Sequence, residues 1–308
     1  MFFTHQRFQT SKYRIMKKNR IMSKYIYIVV FTLMIKGFVS CSSTTKEAFS
    51  LEIGVCTNIS NSELFATNGY AYIEESVRGF LMPLENNAEF EIALNKAQNS
   101  TIPVKACNNF IPGNLKSVGP EAVHEEILEY METAFRRSER VGIKYIVFGS
   151  GGSRTIPEGF SRDKAHGQFV YLCSKMAPIA EKYNVVVVLE PLNKKECNFI
   201  NSVAEGGEIV KEVDHPNFQL LADFYHMKMD DETPENIIKY GQFIKHIHIA
   251  EKKDRAVPGI NNEDFNPYFS ALKEINYQGM ISIEARWDSI EKEAPVGIKA
   301  IKEQFKQI

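Results

Sequence analysis

Residues 185–190 read Val-Val-Val-Val-Leu-Glu, and residues 144–149 read Lys-Tyr-Ile-Val-Phe-Gly. Strands that are apolar at nearly every position, rather than at alternate ones, are covered on both faces, which is the condition of a parallel sheet wrapped in helices. Six further β-rich runs, at 51–56, 75–82, 104–108, 219–223, 246–250 and 280–284, accompany these two, which are placed at 144–148 and 185–190. Apolar spacing and end signals predict helices over 120–141, 161–183, 202–213, 234–243, 266–276 and 293–305. Alternation of strand and helix implies βαβ units. No G-x-G-x-x-G follows the first run, which argues against a doubly wound dinucleotide fold. Eight strands with helices between them over about 250 residues match the length of a (β/α)8 barrel. The expected fold is α/β, a (β/α)8 TIM barrel forming a single domain over residues 51–308.

The segment before that domain has a different character. Residues 1–40 hold eight Lys and Arg and no Asp or Glu, so of 37 basic and 38 acidic residues the remainder keeps 29 against 38, a net of −9. That balance excludes a basic nucleic-acid footprint on the folded part. Lys17, Lys18, Arg20 and Lys24 precede an apolar run at 25–35 that is too short to span a bilayer, in the order of a signal peptide. Phe38-Val39-Ser40-Cys41 resembles the lipobox of bacterial lipoproteins, with Cys41 the residue to be lipidated. The expected layout is a signal peptide with lipobox at 1–40, a small polar tether at 41–50 and the barrel at 51–308. The alternative is an ordinary secretory signal or membrane anchor with a coincidental Cys41. Either reading places the domain outside the cytoplasm, and the lipobox reading anchors it to a bacterial membrane by lipid alone. Cys56, Cys107, Cys173 and Cys197 lack the spacing of a zinc site and read as buried thiols, with two disulfides as the alternative.

Barrel chemistry sits at the C-terminal strand ends, and here those ends carry ionisable residues in apolar surroundings. Glu190 closes one run, Asp223 another, His248 lies in Lys245-His246-Ile247-His248, and Glu284 closes Ile281-Ser282-Ile283-Glu284. Three hard carboxylates and one imidazole suit Mn, Mg or Co in an octahedral site with open positions. One strand-end acid is ordinarily a cap or an ion-pair partner. Four on separate strands are harder to explain that way.

These residues and their surroundings resemble a family, the xylose isomerase-like TIM barrels, and within it the ketose 3-epimerase branch. The matching motifs are Glu190-Pro191-Leu192-Asn193-Lys194-Lys195-Glu196-Cys197, Asp223-Phe224-Tyr225-His226-Met227, His246-Ile247-His248 and Ile283-Glu284, with separations of 33 (190 to 223), 25 (223 to 248) and 36 (248 to 284). The resemblance covers residues 51–305. It implies that Glu190, Asp223, His248 and Glu284 bind one divalent ion, manganese first, then magnesium or cobalt. It implies that His226, Glu196 and Arg255 hold substrate hydroxyls, and that the chain pairs into dimers or tetramers through helices. Arg255 follows a connection one residue longer than the family's usual one. Moving a proton beside a carbonyl needs a base, an electrophile and an acid. Glu190 and Glu284 are the expected base and acid, making the chain a metal-dependent isomerase or epimerase of an unphosphorylated sugar or keto-sugar, through an enediolate. A sugar-binding lipoprotein without turnover, inosose dehydration and hydroxypyruvate isomerisation are the competing readings. An endonuclease acting on abasic DNA shares the barrel but needs extra histidines on early strands, and region 51–150 holds only His124.

Other features admit two readings each. Gly149-Ser150-Gly151-Gly152-Ser153-Arg154 is an anion cradle aided by Arg154 or, more simply, a glycine turn at the barrel mouth. His246 shares a strand face with His248 and is either a group supporting it or a packed strand histidine. Trp287, Phe110 and the pair Asn108-Asn109 are candidates for the cavity wall, with core packing as the alternative for the aromatic rings. Glu74 and Glu75 line the mouth or, by default, belong to a solvated loop. His124 and His166 read as surface residues, and nothing ties His215 to the site.

Overall fold

The computed structural model describes residues 51–308. The expected signal peptide and the whole tether, Cys41 included, lie outside the described residues. Strand and helix alternate as β1 (Glu52–Cys56), α1 (Ser62–Thr67), β2 (Tyr72–Ser76), α2 (Asn87–Gln98), β3 (Val104–Asn108), α3 (His124–Val141), β4 (Tyr145–Phe148), α4 (Gly151–Arg154) and α5 (Arg162–Lys182). They continue as β5 (Val186–Leu189), α6 (Val203–Val213), β6 (Phe218–Asp223), α7 (Phe224–Met229), α8 (Glu235–Tyr240), β7 (Ile244–Ile249), α9 (Asn266–Glu274), β8 (Met280–Ile283) and α10 (Ile290–Lys306). All strand pairs are parallel, and β8 returns to pair with β1, so the sheet closes as an eight-stranded barrel. Among the described residues no helix is long and apolar enough to cross a membrane.

Closure divides each strand by its period of two. One set of side chains, including Ile53, Val55, Ile146, Leu220, Ile247 and Ile283, packs outward under the helices. The other set fills the barrel interior with Tyr72, Ala106, Tyr145, Val147, Val188, Leu221 and Met280. Gly54 belongs to this inner set, and a Cβ there would stand 2.2 Å from the Tyr72 ring, so the absence of a side chain makes room for that tyrosine. Two residues beyond these inner positions the same phase brings Cys56, Glu74, Asn108, Gly149, Glu190, Asp223, His248 and Glu284 to the C-terminal rim. The apolar packing of the barrel and the chemistry of its mouth are thus successive layers of one periodicity.

The second strand differs from its expected place at 75–82. Its sequence, Tyr-Ile-Glu-Glu-Ser, carries two acids, and the more apolar Val77–Leu81 that follows is instead a π-helical turn. Ser76 Oγ accepts from Gly79 N, and Met82 ends the turn in the left-handed region at φ 46°. Glu74 and Glu75, expected by default in a solvated loop, are buried at 1% and 5% exposure. Helices α1 and α2 also lie outside the predicted set. In α2 Phe90, Ala93, Leu94 and the half-buried Ala97 form the inward stripe, and the exposed apolar Ile92 on the other face blurs it in the sequence. All four described cysteines are free thiols, and Cys56 alone among them is partly exposed.

Candidate active site

The loop after β5, together with α7, builds one side of the mouth. Asp223 caps α7, its Oδ1 accepting from Tyr225 N at 2.7 Å, and so His226 stands one turn on, over the same face. His226 Nε2 lies 3.4 Å from Asp223 Oδ2. Asn193 fixes this histidine from the other side, its amide Nδ2 donating to His226 Nδ1 at 2.8 Å and to Glu196 Oε1 at 3.0 Å. Asn193 is buried at 1% exposure and was not among the expected site residues. Only its place between Glu190 and Glu196 in the loop motif marked it.

The loop after β7 brings Arg255. Glu251 is fully buried, and its carboxylate accepts from Gly259 N, Asn261 N and Glu263 N at 2.8, 2.7 and 3.3 Å. That clamp shapes the connection, in which Asp254 and Arg255 adopt left-handed φ values of 62° and 52°. The Arg255 guanidinium stacks 4.6 Å over the Tyr225 ring, pairs closely with Glu284 Oε2, and reaches Asp223 Oδ2 at 3.6 Å and Glu196 Oε1 at 3.8 Å.

Glu190, Asp223, His248 and Glu284 each place one ligand-type atom within 4.8 Å of the others. His248 Nδ1 is 3.1 Å from Glu190 Oε1 and 3.3 Å from Glu284 Oε2, and Asn108 Nδ2 donates to Glu284 Oε1 at 2.9 Å. Burial raises the Glu190 pKa, the larger effect there, and the neighbouring Glu284 charge adds to it. At Glu284 burial is outweighed by His248 and Arg255, which pull the carboxyl down to about 2. Burial opposes a charge on His248, yet Glu74 and Glu284 hold its pKa well above the usual value.

The donor set fits a divalent cation. Asp223 Oδ2 is buried and accepts no hydrogen bond. Three carboxylates and one imidazole nitrogen converge at low solvent exposure, and a divalent ion among them would satisfy the lone pairs that Arg255 leaves unpaired. The oxygen-rich set with one imidazole matches hard or borderline metals.

Above this cluster opens a cavity of about 340 Å³, lined by Glu190, Glu196, His226, Arg255 and Glu284 among others. The volume falls within the range of small-molecule sites, roughly 300–1,000 Å³. All seven expected site residues therefore converge, with Asp223 and His248 at the floor. Gly149, Ser150, Gly151 and Gly152 line the wall as a glycine turn. Arg154 does not serve that turn: it is fully buried and donates from Nη2 to Glu190 O at 2.8 Å, behind the site. Phe110 lies in the outer core against Phe135 and Phe148, and Trp287 packs edge-on to Phe65 at 5.5 Å, so both rings take the core-packing reading. Asn108 and Asn109 do line the cavity. His124, read as a surface residue, is half-buried with Nε2 2.8 Å from Ser117 O.

Glu74, at the C-terminal end of β2, meets the cluster from the far side of the His248 ring. Glu74 Oε1 is 2.9 Å from His248 Nε2, and Glu74 Oε2 is 2.7 Å from both His246 Nε2 and Ser282 Oγ. Burial alone would raise its pKa, but the two imidazoles hold it well below the usual carboxylate range. The signal that could have located it is the one used elsewhere, an acid at the end of a β-rich run.

The sequence profile of the xylose isomerase-like TIM barrel family matches residues 63–304. An L-ribulose 3-epimerase of Methylomonas sp. (strain DH-1) is 31% identical over 149 residues, which are 48% of this chain and 50% of that protein. The chain thus matches about half the length of that curated relative. A crystal structure of 3-keto-D-glucoside 4-epimerase from E. coli superposes with a TM-score of 0.70 at 20% identity, covering 82% of this chain and 100% of the other. An IolI protein with a bound zinc atom superposes with a TM-score of 0.68 at 20% identity, covering 83% and 99%. At such identities the superpositions speak for the fold. With the profile spanning most of the barrel, the chain belongs to the xylose isomerase-like TIM barrel family.

Proposed function

We propose that the protein is a divalent-metal-dependent isomerase or epimerase of an unphosphorylated sugar or keto-sugar. The observation that carries this reading is the convergence of Glu190, Asp223, His248 and Glu284 under one cavity, with Asp223 Oδ2 left without a hydrogen bond. Similarity to sugar epimerases supports it. Manganese is the first candidate ion, then magnesium or cobalt, and when bound it would supply the electrophile for the substrate carbonyl and hydroxyl oxygens. Glu190, Asp223, His248 and Glu284 would hold it.

The chain's own groups do the rest. Glu190 and Glu284, from β5 and β8, flank the floor of the cavity, so one carboxylate can take the proton beside the carbonyl and the other return one. Return to the opposite face of the same carbon gives epimerisation. Return to the adjacent carbon gives aldose–ketose isomerisation. His226, Glu196 and Arg255 present a ring nitrogen, a carboxylate and a guanidinium for substrate hydroxyls. The lipobox-like Cys41 supports an extracytoplasmic, lipid-anchored placement, where free sugars are commoner substrates than sugar phosphates.

The test is solvent-deuterium exchange followed by NMR, with the Mn-loaded protein and a panel of ketoses, aldoses and keto-sugars. Deuterium entering beside a carbonyl, and lost on chelation, is the expected result. A folded, metal-loaded sample that exchanges no substrate proton would sink the enzyme reading. Arg255→Ala is expected to raise KM about tenfold or more, because the guanidinium both lines the cavity and sets Glu284; an unchanged KM would assign the substrate anchor to another group.

A further inference from the structure

Glu74, His246, Ser282 and Tyr72 form a connected polar column inside the barrel, with Glu74 at its rim end beside Cys56 and Asn108. All four are buried, at 1% exposure or less. Polar groups at that depth are costly unless each is satisfied, and an apolar layer would fill the same space without that cost. The direction of every hydrogen bond follows from one fact: a carboxylate only accepts. Ser282 Oγ therefore donates to Glu74 Oε2 at 2.7 Å and accepts from Tyr72 Oη at 2.8 Å. His246 donates Nε2–H to the same oxygen at 2.7 Å, its ring stacked 5.8 Å from Tyr145 at 14°. The second oxygen, Oε1, is left for His248 Nε2 at 2.9 Å.

His248 is the member of the column that also faces the cavity cluster, through Nδ1 at 3.1 Å from Glu190 Oε1. A half-turn of the imidazole about its Cβ–Cγ bond would exchange Nδ1 for a carbon and leave the cluster without its nitrogen. Moving the proton from Nε2 to Nδ1 would turn the lone pair away from the cluster. We propose that Glu74 is the positioning residue that forbids both, holding the Nε2 proton so that Nδ1 points at Glu190, Asp223 and Glu284 as a metal ligand. His246, Ser282 and Tyr72 act on Glu74 alone, fixing its other oxygen. The inference rests on the divalent-metal reading of the cluster, and it adds to that reading a carboxylate from β2, a strand that supplies none of the four residues Glu190, Asp223, His248 and Glu284.

The experiment is titration of the metal-free full-length protein with Co²⁺, read by calorimetry and by the d–d absorption of the bound ion, without substrate. Glu74→Met, similar in size and with no comparable acceptor, is expected to weaken Co²⁺ binding about 10- to 100-fold, the usual cost of losing a carboxylate behind a ligating histidine. Glu74→Gln, which keeps an acceptor oxygen without the charge, is expected to fall between Glu74→Met and wild type. Ser282→Ala removes a hydrogen bond from the same carboxylate without touching the His248 contact, and its affinity should stay within about twofold of wild type. A purely structural column would give Ser282→Ala and Glu74→Gln comparable losses, and that result overturns the proposal. So does wild-type affinity in both Glu74 variants. Should Glu74→Met not fold, Glu74→Gln against Ser282→Ala decides the question by itself. Failure of the wild-type protein to bind Co²⁺ overturns the metal reading itself, and is distinguished from the other outcomes because it needs no variant.

Discussion

Glutamine in place of Glu284 is expected to lower the rate of deuterium exchange by about 10²- to 10⁴-fold, the range for removing a positioned general acid or base. The change is nearly isosteric, and Asn108 Nδ2 can still donate to an amide oxygen at the Oε1 position. That leaves the new NH₂ facing the Arg255 guanidinium, donor against donor, where the carboxylate made its ion pair. The group beside His248 Nδ1 also loses its charge. The side chain stands at the cavity floor with its backbone N–H bonded to Ile249 O, so the barrel should be undisturbed. Single-turnover exchange at saturating Mn, beside a circular-dichroism melt, measures both statements. Wild-type exchange in a native fold would remove Glu284 from the proton path.

The second large effect is expected at a residue with no side chain. A Cβ on Gly149 would lie 2.1 Å from Glu190 Oε2 and 3.3 Å from Glu190 Cδ. The obstructing atoms are the end of a side chain rather than backbone, so the fold can yield by moving the carboxylate, at about 1–3 kcal/mol for an overpacked site. Activity has no such escape. A displaced Glu190 leaves its place 3.1 Å from His248 Nδ1, and misplacement by about 1 Å costs on the order of 10²-fold in rate. Gly149→Ala is therefore expected to melt within a few degrees of wild type while losing about two orders of magnitude in exchange. Equal losses of stability and rate would mean that the alanine disturbs β4 rather than Glu190.

Most of the site was legible because it repeats one local pattern. Glu190, Asp223 and Glu284 each end an apolar run, and His248 lies near the end of another, as the inner position of a parallel strand. Period-two alternation needs no knowledge of the fold to be seen. The same rule was available at Tyr72-Ile73-Glu74-Glu75-Ser76 but gave way to the more apolar residues after it, because a short strand with two acids scores poorly on composition alone. The glycine turn at 149–152 takes the simpler of its two readings, while the place of Arg154 has no local signal, because the turn of α4 carries it under the Glu190 carbonyl.

The amino-acid sequence by itself determined the alternation of strand and helix, the count of eight, and the acids that end the strands, since each is a property of a few neighbouring residues. Tertiary structure decided what those residues do to one another. Glu74 meets His246 and His248 across 172 and 174 positions of sequence, Asn108 meets Glu284 across 176, and Arg255 reaches Glu284 from a loop shaped by Glu251. Glu74 on β2 and the histidines on β7 are not strand neighbours, so neither pairing nor periodicity brings them together. They meet because the sheet closes, which turns the inner faces of distant strands toward one axis and places a buried carboxylate where only those imidazoles and a serine can satisfy it.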